Sequence, residues 1–141
     1  MTFGTTFASD ELKLIYNATA ISTVADNAAT TPITNIYVSL HTADPSSGNQ
    51  TTSETTYTSY ARQAVARTSG GWTVTGASCS PVANIVFPIS TGGTPTISYF
   101  ATGTVVSGTG KIFDAGTVTP NITVSTSVSQ TLTTGSTITR T

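Results

Sequence analysis

Few residues in this chain are suited to chemistry. His41 is the only histidine, Asp44 follows three positions later, and there are 17 serines, so the ingredients of a Ser-His-Asp nucleophile are all present. The spacing argues against that use. His41 closes a segment with strand alternation, and Asp44 precedes Pro45, where an aspartate binds its own following backbone and starts a turn. A zinc or iron site takes three or four His, Cys or carboxylate ligands, and the chain offers one histidine and one cysteine, Cys79. Glycoside hydrolysis needs two carboxyl groups at a fixed separation. Of the six acidic residues, Asp10 and Glu11 fall at a helix start and Asp26 and Asp114 in turns. Asp44 and Glu54 remain, on one long loop without a scaffold. Gly108-Thr109-Gly110-Lys111 looks like the end of a phosphate loop. However, Val105 stands where that motif needs its first glycine, and Ile112 where it needs Ser or Thr. The expectation is a non-enzymatic protein with no catalytic residue, no metal and no cofactor.

The remaining candidates concern contact rather than catalysis. Arg62 and Arg67 are two of five basic residues. Five positions apart on one strand, they point to opposite faces unless the strand is bulged. Either they are solvated and blunt a sheet edge, or an ionic partner fixes register. For Arg62 that partner would be Asp44 or a carboxylate of another subunit. Trp72, Phe87, Tyr99, Phe100 and Phe113 lie within strand patterns and read as core, with an aromatic sugar platform as the alternative. Phe3 and Phe7 flank Gly4 in a short N-terminal stretch, residues 1–8. Two exposed phenylalanines are costly, so this stretch either folds back on its own domain or forms an arm that docks on a neighbouring subunit. Phe3, Phe7, Asp44, Arg62 and Arg67 are therefore the candidate interface residues.

The elements that must position these residues follow from periodicity. Ser9 as cap, Asp10 and Glu11 in the first turn, and Leu12, Ile15, Tyr16 and Thr19 or Ala20 at helical spacing predict a helix over residues 9–25. After Pro32 the period changes to two: Ile36, Val38 and Leu40 alternate with Tyr37, Ser39 and His41. Residues 43–58 are polar and long for a structureless loop, which marks an interaction loop or a partly mobile one. Short β-branched runs then recur between Gly and Pro turns to the end of the chain, with turns expected at Gly108–Gly110, Ala115-Gly116 and Pro120-Asn121. Eight or so such strands with a single helix predict a mainly β fold: one antiparallel β-sandwich or jelly-roll-like domain over residues 9–141, preceded by the arm 1–8.

Composition narrows the function classes. The 141 residues suit one domain. Five basic against six acidic residues leave no electrostatic footprint for nucleic acid or an anionic membrane. Only 8% of the residues are charged, whereas 33 are Thr and 17 Ser, so the polar surface is hydroxyl rather than ionic. No apolar run reaches the roughly 20 residues of a membrane helix, and the first residues lack a signal-peptide pattern. The expectation is a soluble protein made without export by that route. A near-neutral β-domain has little charge repulsion to keep copies apart, and few charges need desolvating when surfaces meet. Such a surface suits permanent assembly.

Several motifs point to a family. Leu40-His41-Thr42-Ala43-Asp44-Pro45, then Tyr60-Ala61-Arg62-Gln63-Ala64-Val65, then Trp72 with Asn84-Ile85-Val86-Phe87-Pro88, and finally Gly110-Lys111-Ile112 occur in order along the chain. In this combination the sequence resembles small tailed-bacteriophage virion structural proteins, often labelled tail or tail-fibre proteins. The resemblance implies a virion structural role and brings no catalytic residue with it. Neither coiled-coil heptads nor repeats are present, which favours a capsid cement (decoration) protein. Such a protein would bind the major capsid protein and its own copies, as a trimer for example, on the capsid exterior after synthesis in the host cytoplasm. A tail or head–tail connector or fibre-associated component is the alternative, followed by a carbohydrate-binding β-module.

Overall fold

The computed structural model describes residues 4–26 and 28–141; Phe3 lies outside them. Among the described residues the fold is mainly β with one α-helix, as the patterning predicts. The sheets hold four, three and two strands, a different division from the two four-stranded sheets of a jelly roll. The chain forms two compact units, neither continuous in sequence. One gathers the residues up to Asn35 with Val65–Asn84 and Thr133–Thr141; the other gathers Ile36–Ala64 and Ile85–Leu132.

The first unit contains α1 (Thr5–Asn17), β3 (Trp72–Thr75), β4 (Ser78–Pro81) and β9 (Ile138–Thr139). Ala8, Leu12 and Tyr16, four apart, form the buried face of α1. Both helix ends differ from expectation. Gly4 occupies the N-cap position and no acidic residue lies in the first turn. Ser9 is thus inside the helix, and residues 5–8 of the expected arm are helical. The helix stops at Asn17 rather than at residue 25, because Ala18 adopts a left-handed conformation with φ 54°. The Ala18 N–H turns back onto the Lys13 carbonyl, and the Thr19 N–H reaches the same oxygen at 3.1 Å, so a carbonyl of the last turns is satisfied. Arg67 completes the stop. Its Nε donates to the Ile15 carbonyl at 2.6 Å, and its other nitrogens donate to the carbonyls of Leu14 and Ile33. A helix leaves its last carbonyls unpaired and carries negative potential there, so a guanidinium answers both needs. Burial holds the Arg67 pKa below its ordinary value.

The strands β3 and β4 form a hairpin around Gly76 at φ 58°, and β9 joins the other side of β4. Trp72 begins β3 fully buried, and its ring lies 4.8 Å from that of Tyr16, tilted by 59°. This contact ties the helix to the hairpin.

The four-stranded sheet is ordered β2-β1-β6-β7, from β2 (Gln63–Ala66), β1 (Asn35–His41), β6 (Thr96–Gly103) and β7 (Ile112–Thr123); β6, β7 and β1 from Ile36 onward belong to the second unit. A small ribbon pairs β5 (Ile85–Val86) with β8 (Thr131–Leu132). The strand β1 matches the predicted segment and pairs antiparallel with β6 from Tyr37↔Gly103 to His41↔Tyr99. Alternation predicts one polar face for β1, yet Ser39 and His41 are as buried as Ile36, Val38 and Leu40. Both faces of this central strand are covered.

Two expected turns are strand instead. Ala115 and Gly116 run straight through β7, opposite Ala101 and Phe100. Gly116 fits there because a Cβ would stand 3.1 Å from the Phe100 ring, a close approach of the kind that glycine in a strand marks. At Pro120 the ladder slips: Ile97 pairs with Ile122 and Tyr99 with Thr117, leaving residues 118–121 out of register. Proline has no N–H to give the ladder, so it sits in an irregularity instead of ending the strand.

Candidate functional site

The densest polar cluster of the second unit surrounds Arg62, and it forms because three chain segments converge on one guanidinium. Arg62 is only 6% exposed. Its Nε and Nη2 donate to the two carboxylate oxygens of Glu54, each at 2.7 Å. Nη1 donates to the Val105 carbonyl and Nη2 to the Gly108 carbonyl, both at 3.0 Å. Four of the five guanidinium N–H donors are thus engaged, in the bidentate geometry that makes Arg–carboxylate pairs strong. Asp44 does not pair with Arg62; Glu54 of the same chain does, and the arginine is buried rather than solvated at an edge. The sequence pattern offered Glu54 only as one of two loop carboxylates for glycoside hydrolysis, not as the partner of Arg62.

Tyr60 extends the cluster. Its hydroxyl donates to Glu54 Oε1 at 3.0 Å and accepts the Leu40 N–H at 3.0 Å. Burial pushes its pKa far above the ordinary phenol value, so Tyr60 acts here as a hydrogen-bonding group. Its ring stacks on Phe87 at 6.2 Å and meets Tyr57 edge-on at 5.3 Å. Phe87 and Trp72 are buried, as core rather than as a sugar platform.

His41 sits on the other side of the loop. Its Nδ1 lies 2.8 Å from the Thr52 carbonyl, which can only accept, so Nδ1 carries the proton. Nε2 then accepts the Ser39 hydroxyl at 2.8 Å. This is a nucleophile–base pair in outline, with a backbone carbonyl in the place of the carboxylate. Both side chains are fully buried, and Asp44 is not the third member. Asp44 is exposed and accepts the Ser46 N–H at 2.9 Å, the turn role its spacing predicts. That bond holds its carboxyl below the usual range. The bond from His41 to the Thr52 carbonyl fastens the loop to β1, and Ser39 orients the ring.

The loop 43–58 is tied throughout. The Thr42 N–H bonds Ser53, the Thr55 N–H bonds Leu40, and the Gln50 N–H bonds Gly110, each at 2.9 Å. The Gln50 side chain enters the β6–β7 connection and accepts the Val105 N–H at 3.0 Å. Gly103 and Gly110 make room for it, since a Cβ at either would stand 2.3 or 2.0 Å from Gln50 atoms. No sequence signal marked Gln50; the two glycines were its only trace.

Beside the ion pair lies an open cavity of about 370 Å³, bounded by Tyr60, Ala61, Val106, Ser107 and Gly108. The charged groups on its wall, Arg62 and Glu54, answer each other. Among the described residues no group of His, Cys, Asp and Glu could hold a metal ion. Of the other expected contact residues, Phe7 is half exposed on α1, and Arg67 belongs to the helix stop in the first unit.

Glu54→Gln leaves the buried Arg62 charge unanswered and should cost about 3–5 kcal/mol, whereas the double change Glu54→Leu with Arg62→Met should lie much closer to wild type. Urea unfolding of the two single variants and the double variant checks this through the coupling between them.

His41 gives a pH signature. Burial holds its pKa below the ordinary 6.5, against the upward pull of the Thr52 bond and of Glu54. The unfolded chain therefore takes up the proton at a higher pH than the folded one. The resulting stability is fully present above about pH 6.5 and is lost as pH falls through the window below it. Unfolding midpoints measured from about pH 8 to about pH 5 should fall in wild type and flatten in His41→Gln.

No curated protein matches the sequence. No described helix is long and apolar enough to cross a membrane. One family model matches residues 14–140, described as Podophage GP4 fiber I protein gp80. That span takes in the Arg62 cluster, the pinned loop and most of both units, but only the last turn of α1. A cluster built to hold loops in place suits a structural family, and by this match the chain belongs to the podophage GP4 fiber I protein gp80 family of virion structural proteins.

Proposed function

We propose that this chain is a non-enzymatic structural subunit of a podophage tail fibre, working by stable contact with other virion proteins. The family match over residues 14–140 carries this reading. The geometry supports it in three ways. The Arg62–Glu54 and Arg140–Glu11 pairs are met within the chain. The one Ser–His pair is buried under a loop. Exposed apolar side chains such as Val106, Val86, Ile89 and Val128 stand on a surface poor in charge. Contact through such a surface desolvates few ions, and its permanence comes from fit and copy number.

A capsid cement role is the second reading. It draws support from the helix content: the single described helix, α1, has 13 residues and no heptad seam from which a fibre shaft is built. In that reading the partner is the major capsid protein. Particle imaging separates the two. Virions carrying a tagged chain, compared with virions lacking it, should show the label and the missing density at the tail. Label spread over the capsid shell at its symmetry axes would overturn the fibre reading in favour of cement. Absence from the particle would overturn both.

A further inference from the structure

Ser39 has one hydroxyl hydrogen and two acceptors within reach: His41 Nε2 at 2.8 Å and the Ala101 carbonyl at 3.4 Å. The second acceptor is close because β1 pairs with β6 so that Ser39 and Ala101 stand opposite each other. While His41 is neutral, its Nδ1–H is taken by the Thr52 carbonyl at 2.8 Å. Nε2 is then an acceptor and receives the Ser39 hydrogen, and the Ala101 carbonyl receives nothing from this side chain. An imidazolium donates from both ring nitrogens, so Nε2 would need an acceptor instead. Ser39 and His41 are both fully buried, so bulk solvent does not meet that need. The Ser39 oxygen, which can accept while its hydrogen is donated elsewhere, is already in place.

We infer that Ser39, His41 and the Ala101 carbonyl form a two-state proton relay, in which His41 takes up a proton inside the closed fold and the Ser39 hydroxyl reverses. One proton comes from solvent and binds Nε2. The new Nε2–H donates to Ser39 Oγ, and the Ser39 hydrogen turns from Nε2 to the Ala101 oxygen. No bond to the loop is lost. The bond from Nδ1 to the Thr52 carbonyl becomes charge-assisted, a class roughly twice as strong as neutral hydrogen bonds, so the 43–58 loop stays fastened to β1 in both proton states. Two charged groups act on the ring: Glu54, whose backbone bridges to His41, favours the proton, and Arg62 opposes it. The other titratable groups of the neighbouring segments are Tyr99, opposite His41 on β6, Tyr60, bonded to Glu54, and the exposed Asp44. Burial places proton uptake below the ordinary histidine range, and the relay limits how far below. The stability that acid removes through His41 therefore reaches a floor, because folded and unfolded chains then bind the same proton. The relay belongs to the purified chain, so it is tested separately from where the protein sits in the virion.

Nuclear magnetic resonance of the isotope-labelled full chain, from about pH 8 to about pH 4.5, tests it. In the wild type the His41 ring nitrogens should report protonation while the protein stays folded. The Ala101 carbonyl carbon should shift with the same midpoint, and the amides of Thr42 and Thr55, which bond Ser53 and Leu40, should keep their protection. In folded Ser39→Ala, His41 should bind the proton about tenfold more weakly, since a charge-assisted bond is lost from the protonated state and only a neutral one from the other. A wild-type protein that unfolds before His41 titrates would overturn the inference. So would Thr42 and Thr55 amides that lose protection at the His41 midpoint, an Ala101 signal indifferent to that midpoint, or a folded Ser39→Ala with wild-type proton affinity. The wild-type readouts decide the matter without any variant.

Discussion

The second unit is organised by one buried ion pair. A chain with five basic and six acidic residues places Arg62 and Glu54 side by side at 2.7 Å, where removing Glu54 leaves the buried Arg62 charge without its counterion. Glu54 lies at the end of the long polar loop. The same guanidinium also holds the Val105 and Gly108 carbonyls of the β6–β7 connection. Two loops that would otherwise carry unpaired backbone are thus fixed to each other through a single side chain. The pair's desolvation cost is large, and it forms only when three segments arrive together.

The rest of the site follows from covering β1 on both faces. Once the loop crosses over Ser39 and His41, their polar atoms need partners, and each finds one: the Ser39 hydroxyl on Nε2 and the Thr52 carbonyl on Nδ1. Gln50 fills the next gap, permitted by Gly103 and Gly110, and Tyr60 bridges the β1 backbone to Glu54. What reads as the raw material of catalysis is used to fasten a loop. That use agrees with a family of virion structural proteins.

Local patterns were legible in the sequence and long-range partners were not. The strand at β1, the helical spacing of Leu12 and Tyr16, and the turn chemistry of Asp44 are encoded within a few residues, and the structure reproduces them, although both faces of β1 are covered. The helix end at Ala18 was hidden because an alanine rather than a glycine takes the left-handed position, and because Arg67, about fifty residues away, caps the last turn. Ala115-Gly116 and Pro120 carry turn chemistry, but pairing with β6 overrides it in the first case and absorbs it as a slip in the second. The partner of Arg62 could not be ranked from spacing, since Asp44 and Glu54 lie on the same loop and only the fold decides which one arrives. The ordered motifs, by contrast, pointed to the tailed-phage family on local sequence alone.

The central claim is that the Arg62–Glu54 pair couples the 43–58 loop to the β6–β7 connection. Site-resolved hydrogen exchange of wild type and Glu54→Gln tests it most directly. The account predicts that the amides of Thr42, Gln50, Thr55, Val105 and Gly110 lose protection together, while those of α1 and β3 in the first unit keep theirs. Loss confined to one of the two loops would contradict it.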